Sequence, residues 1–183
     1  MLRISNCFAL CVLGAFALHP AIAIAQDAMP QARTEQNDTL ETFTRDDLKR
    51  ALSENEIAYS DHPSGGSLNL DLQGGLRANA ALLACDEEGF EQNCFGTSIL
   101  ATFAKPSSAS DKDVDAAITE YNYRQNFGRA YRDPEDGNIS VRLYVIADGG
   151  ITQTNYSRQI ELWEASLGYF VGYLYNRDDT AET

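Results

Sequence analysis

Hydrophobic positions fall into three helical stripes and six strand-like runs. Residues 43–55 open the series. Thr44 is a candidate N-cap, Asp47 stands three positions on where a capping box reaches back, and Phe43 and Leu48 occupy the two positions of a hydrophobic staple. Leu48, Ala51 and Leu52 then share one helix face. A short strand signal covers residues 57–60, and Asp61-His62-Pro63-Ser64-Gly65-Gly66 is a turn by composition. Leu68, Leu70 and Leu72 alternate with Asn69 and Asp71, the period of a half-buried strand. Residues 79–85 are apolar nearly throughout, which predicts a strand covered on both faces. Phe95, Thr97, Ile99, Ala101 and Phe103 form the next alternating set, so the two runs predict a hairpin.

Ser110, with Asp113 three residues on, caps a second helix whose stripe is Val114, Ala117, Ile118 and Tyr121. It ends near Asn126, before Gly128. Residues 128–132 predict a strand, and Pro134 and Gly137 bracket a turn. Ile139, Val141, Leu143 and Val145 alternate with Ser140, Arg142 and Tyr144, the cleanest strand pattern in the chain. A long helix starts at Thr152 or Thr154, with Ile160, Trp163, Leu167, Phe170, Val171 and Leu174 on a broad apolar face. The predicted order is α-β-β-β-β-α-β-β-α. Helices segregated from an antiparallel sheet make an α+β fold.

The two ends differ from this body. An apolar run at residues 8–18 follows Arg3, and Ala23-Ile24-Ala25 supplies the small residues that precede a cleavage point. Residues 1–25 therefore read as a secretory signal peptide cut after Ala25, because the run is too short to span about 30 Å of hydrocarbon. Residues 26–42 read as a flexible linker, 43–176 as the folded domain and 177–183 as a disordered tail. The whole chain carries a net charge of −13, and losing Arg3 with the leader makes it −14. Such a charge argues against nucleic acid and anionic lipid as partners. No segment of the mature chain is apolar enough to insert in a membrane.

Two of the four cysteines leave with the leader. The remaining pair, Cys85 and Cys94, is most simply a disulfide in an exported protein, with the periplasm or the exterior as its location. Their separation is too wide for the Cys-X-X-Cys spacing of redox catalysts.

Candidate chemistry is sparse. His62 is the only histidine after cleavage, and its neighbours Asp61 and Ser64 share its turn, where a triad does not converge. Asp133, Glu135 and Asp136 lack the calcium-loop spacing. Glu87, Glu88 and Glu91 sit on a loop tip and read as solvated charge. The Gly-Gly pairs at 74–75 and 149–150 match no nucleotide motif. These readings assign no catalytic residue, no cofactor and no metal. Tyr121, Tyr123, Tyr169, Tyr173 and Tyr175 gather on the last two helices. Tyrosine suits interfaces because it buries a ring and keeps a polar tip. Tyr121, Tyr123, Tyr169 and Tyr173 are the expected partner contacts.

The run Asn122 to Tyr131, NYRQNFGRAY, precedes an acidic turn, an alternating strand, Gly149-Gly150-Ile151-Thr152 and a Trp-containing helix. With the Thr44-Arg45-Asp46-Asp47-Leu48 helix start, this set resembles the YbjN-like family of bacterial proteins, often labelled sensory transduction regulators. Where that family often has Asn-x-Trp-Asn, this chain has Tyr121-Asn122-Tyr123-Arg124, without the indole. The resemblance implies a fold like the type III secretion chaperones, which bind protein partners and commonly dimerise. It brings no catalytic residues to transfer, and fold likeness alone does not carry function. The expectation is an exported, non-enzymatic binding or regulatory module that engages a protein partner or a second copy. The alternatives are a small-molecule binder and an enzyme with an unrecognised carboxylate site.

Overall fold

The computed structural model describes residues 39–86 and 91–175. The expected signal peptide, the linker as far as residue 38, Glu87, Glu88 and the tail lie outside the described residues. The elements are β1 (Thr39–Leu40), α1 (Arg45–Glu54), β2 (Ala58–Asp61), β3 (Leu68–Asp71), β4 (Arg77–Cys85), β5 (Cys94–Phe103), α2 (Asp111–Arg124), β6 (Arg129–Arg132), β7 (Ile139–Ile146), β8 (Ile151–Thr152) and α3 (Gln153–Tyr175). The expected α+β order is present, with β1 and β8 added to it.

Both predicted capping boxes form. The Asp47 carboxylate accepts from the Thr44 amide at 2.9 Å, and the Thr44 hydroxyl accepts from the Asp47 amide at 3.2 Å. Ser110 and Asp113 repeat the arrangement at α2. Each box satisfies amides that the first helical turn leaves without partners. At α3 the Thr152 hydroxyl accepts from the Asn155 amide at 3.1 Å.

Six strands make one antiparallel sheet in the order β2-β3-β4-β5-β7-β6. The β4–β5 hairpin ends where Cys85 faces Cys94 in register, joined by a disulfide. The Asp133 amide donates to the Asn138 carbonyl at 2.8 Å and closes the β6–β7 hairpin. Thr39 and Leu40, expected to be linker, instead pair with Thr152 and Ile151 as β1 on β8. A two-residue strand has no periodicity to read, and its pairing depends on β8 arriving beside it.

Strand alternation divides the sheet into two faces. Leu68, Leu70, Ala78, Ala80, Thr97, Ile99, Ala101, Val141, Leu143 and Val145 lie on one face and are all buried. The helices cover this side with Leu48 and Leu52 from α1, Val114 and Tyr121 from α2, and Ile160, Trp163, Leu167 and Phe170 from α3. Each such aliphatic or aromatic side chain contributes about 1.5–3 kcal/mol by leaving water. Phe43 stacks on Tyr156 with centroids 4.3 Å apart, and Phe170 meets Phe103 and Tyr121 edge-on.

β4 is not covered on both faces as its composition suggested. Ala78 and Ala80 are buried, whereas Asn79 and Leu83 are exposed and Ala81 is half-buried. Alanine costs little in water, so an alanine-rich run does not reveal its open side.

Candidate functional site

The second face of the sheet carries the side chains that β4, β5, β7 and β6 direct away from the helices. Register places Ala81 opposite Ser98, Leu83 opposite Gly96, Asn79 opposite Leu100 and Ser98 opposite Tyr144. Ile146 is 68% exposed, Tyr144 55% and Leu83 37%. Leu83 of β4 and Ile146 of β7 both stand opposite Gly96 of β5, which has no side chain to separate them, so with Tyr144 they form one uncovered patch across three strands. Monomeric proteins leave few such patches without a use.

Arg142 organises the β7–β6 side of this face. Its guanidinium carbon lies 5.3 Å from the Tyr131 ring centroid and 5.4 Å from the Tyr144 centroid. Its Nη1 donates to the Tyr144 hydroxyl at 2.6 Å. Two ring contacts and a hydrogen bond fix a side chain that otherwise has many rotamers. Arg129 stands directly opposite Arg142 across the β6–β7 pair. A cavity of about 410 Å³ opens where β6 begins and β7 runs on beyond it, between Asn126, Arg129, Arg142 and Gln159. A second cavity, of about 520 Å³, lies between the Gln73–Gly75 turn and Glu161, Glu164 and Gly168 of α3.

Asn122 holds this corner together. Its side-chain amide donates to the Ala130 carbonyl and accepts from the Ala130 amide, both at 2.9 Å. It thus pairs with the outer edge of β6 as a strand residue would, and it ties the end of α2 to the sheet. The sequence reading quoted Asn122 inside a motif without giving it this role. An amide next to a helix end, eight residues before Ala130 of a short strand, was the signal available.

The expected tyrosine contacts divide. Tyr121 is fully buried, and its hydroxyl lies 2.7 Å from Ser166 Oγ. Burial raises its pKa, with the Ser166 bond pulling the other way. It is a core residue and not a surface contact, because it sits on the same stripe as Val114 and Ala117. Tyr123 and Tyr169 are exposed, at 82% and 58%. Tyr173 is half-buried against the core.

The remaining candidates are placed as follows. His62 Nδ1 lies 2.7 Å from Ser64 Oγ in an exposed turn, and Asp61 pairs with Arg45 at 2.7 Å instead of with the imidazole. The Arg45 guanidinium, then Lys49, holds the Asp61 carboxyl below the usual aspartate range. Glu91 is not freely solvated: its carboxylate pairs with Arg45, and its carbonyl accepts from the Arg45 amide at 3.3 Å. Asp133 and Asp136 accept from the amides of Glu135 and Asn138, each at 2.8 Å, as turn residues do.

Comparison with curated proteins gives no match. A crystal structure of YbjN from E. coli, described as "a putative transcription regulator", is similar in fold, with a TM-score of 0.52 and 14% identity, covering 72% of this chain and 92% of that one. The YbjN family model, described as "Putative bacterial sensory transduction regulator", matches residues 44–171, from the N-cap of α1 to the last turns of α3. With both capping boxes, the sheet and the long third helix inside the matched span, the chain belongs to the YbjN family.

Proposed function

We propose that this YbjN-family chain is an exported regulatory module that binds a protein partner through the uncovered face of its sheet and carries out no chemistry of its own. The observation that carries this reading is the asymmetry of the sheet. One face is packed by three helices, while the other presents Leu83, Tyr144 and Ile146 to solvent. The family's description as a regulator supports the functional half. The Cys85–Cys94 disulfide is in keeping with an oxidising compartment.

Charge favours a different protein over a second copy. Among the described residues, the uncovered face holds Arg77, Arg129 and Arg142 against a single carboxylate, Asp71, although the chain as a whole carries 27 acidic and 14 basic side chains. Two copies meeting face to face would bring arginines toward arginines. A partner offering carboxylates and an apolar centre meets the same surface with opposite charge.

The test compares capture of envelope proteins by the mature chain and by Tyr144→Asp, Ile146→Asp and Tyr169→Ala variants, with oligomeric state followed by light scattering. The reading expects one discrete partner whose capture is lost in the two sheet variants and kept in Tyr169→Ala. Loss through Tyr169→Ala alone would move the surface to the helices. Dimerisation abolished by Ile146→Asp would replace the partner with a second copy.

A further inference from the structure

We propose that Arg129 and Arg142 form a binding site for a small organic anion, a carboxylate or phosphate group, in the cavity at the outer end of β6 and β7. This inference rests on that cavity and not on the partner reading above.

The first observation is the pairing itself. Arg129 and Arg142 face each other directly across two antiparallel strands. Side chains so placed have Cβ atoms about 4.5–5.5 Å apart, and like charges there are unfavourable. The second is the lack of counter-charge. Arg45, Arg77, Arg124, Arg132 and Arg158 each have a carboxylate partner. Among the described residues Arg129 and Arg142 have none, in a chain where carboxylates outnumber cations about two to one. Arg50, exposed on α1, shares that condition but stands by itself on a helix surface.

The third observation is preorganisation. Tyr131 and Tyr144 flank the Arg142 guanidinium, and its Nε is sealed from solvent without an acceptor. Nη1 has only the Tyr144 hydroxyl. A guanidinium held this way loses little freedom on binding, and its planar fork fits the two oxygens of a carboxylate or phosphate. The fourth is the lining. Both arginines border the cavity, Gln125, Asn126 and Gln159 add amide donors, and among the described residues no carboxylate lines it. Its volume of about 410 Å³ suits a small ligand. Phe127, 40% exposed, and Tyr144 offer ring surface for an apolar body. An anion bridging the two guanidinium groups would convert an unfavourable pair into two charge-assisted contacts.

The probes are benzoate and inorganic phosphate, titrated into the mature protein and followed by two-dimensional NMR. Saturable shifts are expected at Arg129, Arg142 and Tyr144 at low-millimolar or lower concentration. Arg129→Gln and Arg142→Gln should each weaken binding by about tenfold or more, the loss of one charge-assisted contact. Tighter benzoate assigns the site to aromatic carboxylates, and tighter phosphate assigns it to phosphoryl compounds. Arg129 is exposed and faces a like charge, so Arg129→Gln should fold at least as stably as the parent, which keeps the test valid if Arg142→Gln does not fold. Failure of both probes to saturate, or shifts that persist unchanged in Arg129→Gln, would overturn the proposal.

Discussion

Gly128 precedes β6, and a side chain there would collide with the aromatic core. A Cβ on Gly128 would lie 2.7 Å from the Tyr121 hydroxyl, 2.9 Å from Trp163 Cδ1 and 3.2 Å from Val141 Cγ1. All three neighbours are fully buried and have no room to retreat. Its backbone is outside the left-handed region, so Gly128→Ala gains roughly 0.4–1 kcal/mol from a stiffer unfolded chain. Against that, overpacking costs about 1–3 kcal/mol. Displacing the Tyr121 hydroxyl from Ser166 leaves a buried polar group unpaired, for about 1–3 kcal/mol more. The loss should prevail, with a net destabilisation of roughly 1–5.5 kcal/mol and a Tm lower by about 2–4 °C for each kcal/mol. Trp163, the only tryptophan in the chain, is buried at this contact and reports urea unfolding by fluorescence. Tyr121→Phe removes the nearest clashing atom. Ser166 keeps its own hydrogen bond to the Trp163 carbonyl at 2.7 Å, so that change alone should cost about 0.5–1.5 kcal/mol. In the double variant the two effects should fall short of additive by about 1 kcal/mol or more. A Gly128→Ala protein within about 0.5 kcal/mol of the parent, or strict additivity, would refute the packing argument.

Three further outcomes are expected. Replacing Cys85 and Cys94 by serine, or adding reductant, should lower stability by about 2–3 kcal/mol from loop entropy, read as a shift in the denaturation midpoint; an unchanged midpoint would show that the bond restrains nothing. Thr44→Ala should cost about 1 kcal/mol through loss of the α1 capping box, measured the same way, while Thr44→Ser should cost much less. Burial raises the pKa of Tyr156, whose hydroxyl lies 2.8 Å from Thr97 Oγ1. A raised folded pKa means that its contribution is complete below the unfolded value near 10 and is lost as pH rises above it. Stability should therefore decline in alkali, and Tyr156→Phe should flatten that decline.

The parts of the fold that were legible in the sequence are those fixed by local chemistry. Thr44 with Asp47, and Ser110 with Asp113, announced two helix starts because a capping box needs only four residues. β7 was legible because Ile139, Val141, Leu143 and Val145 face a packed core while Ser140, Arg142 and Tyr144 do not. What stayed hidden depends on pieces far apart in the chain. The β1–β8 pair forms only when the end of β7 returns beside Leu40. The open side of β4 follows from which face the helices choose. Tyr121 was placed at the surface by residue type, although its spacing from Val114 and Ala117 already put it on the buried stripe. The Arg129–Arg142 pair was within reach. A four-residue turn closed between Asp133 and Asn138 sets the register that brings the two arginines opposite each other. The composition of the turn was clear, but its length was not.

The most direct measurement places a photo-crosslinking residue at Ile146, on the uncovered sheet face, or at Tyr169, on α3, and irradiates cells that make each version. The account predicts a discrete adduct of higher mass from position 146 and none of comparable yield from position 169. An adduct confined to position 169, or none from either in cells shown to export the protein, would contradict it.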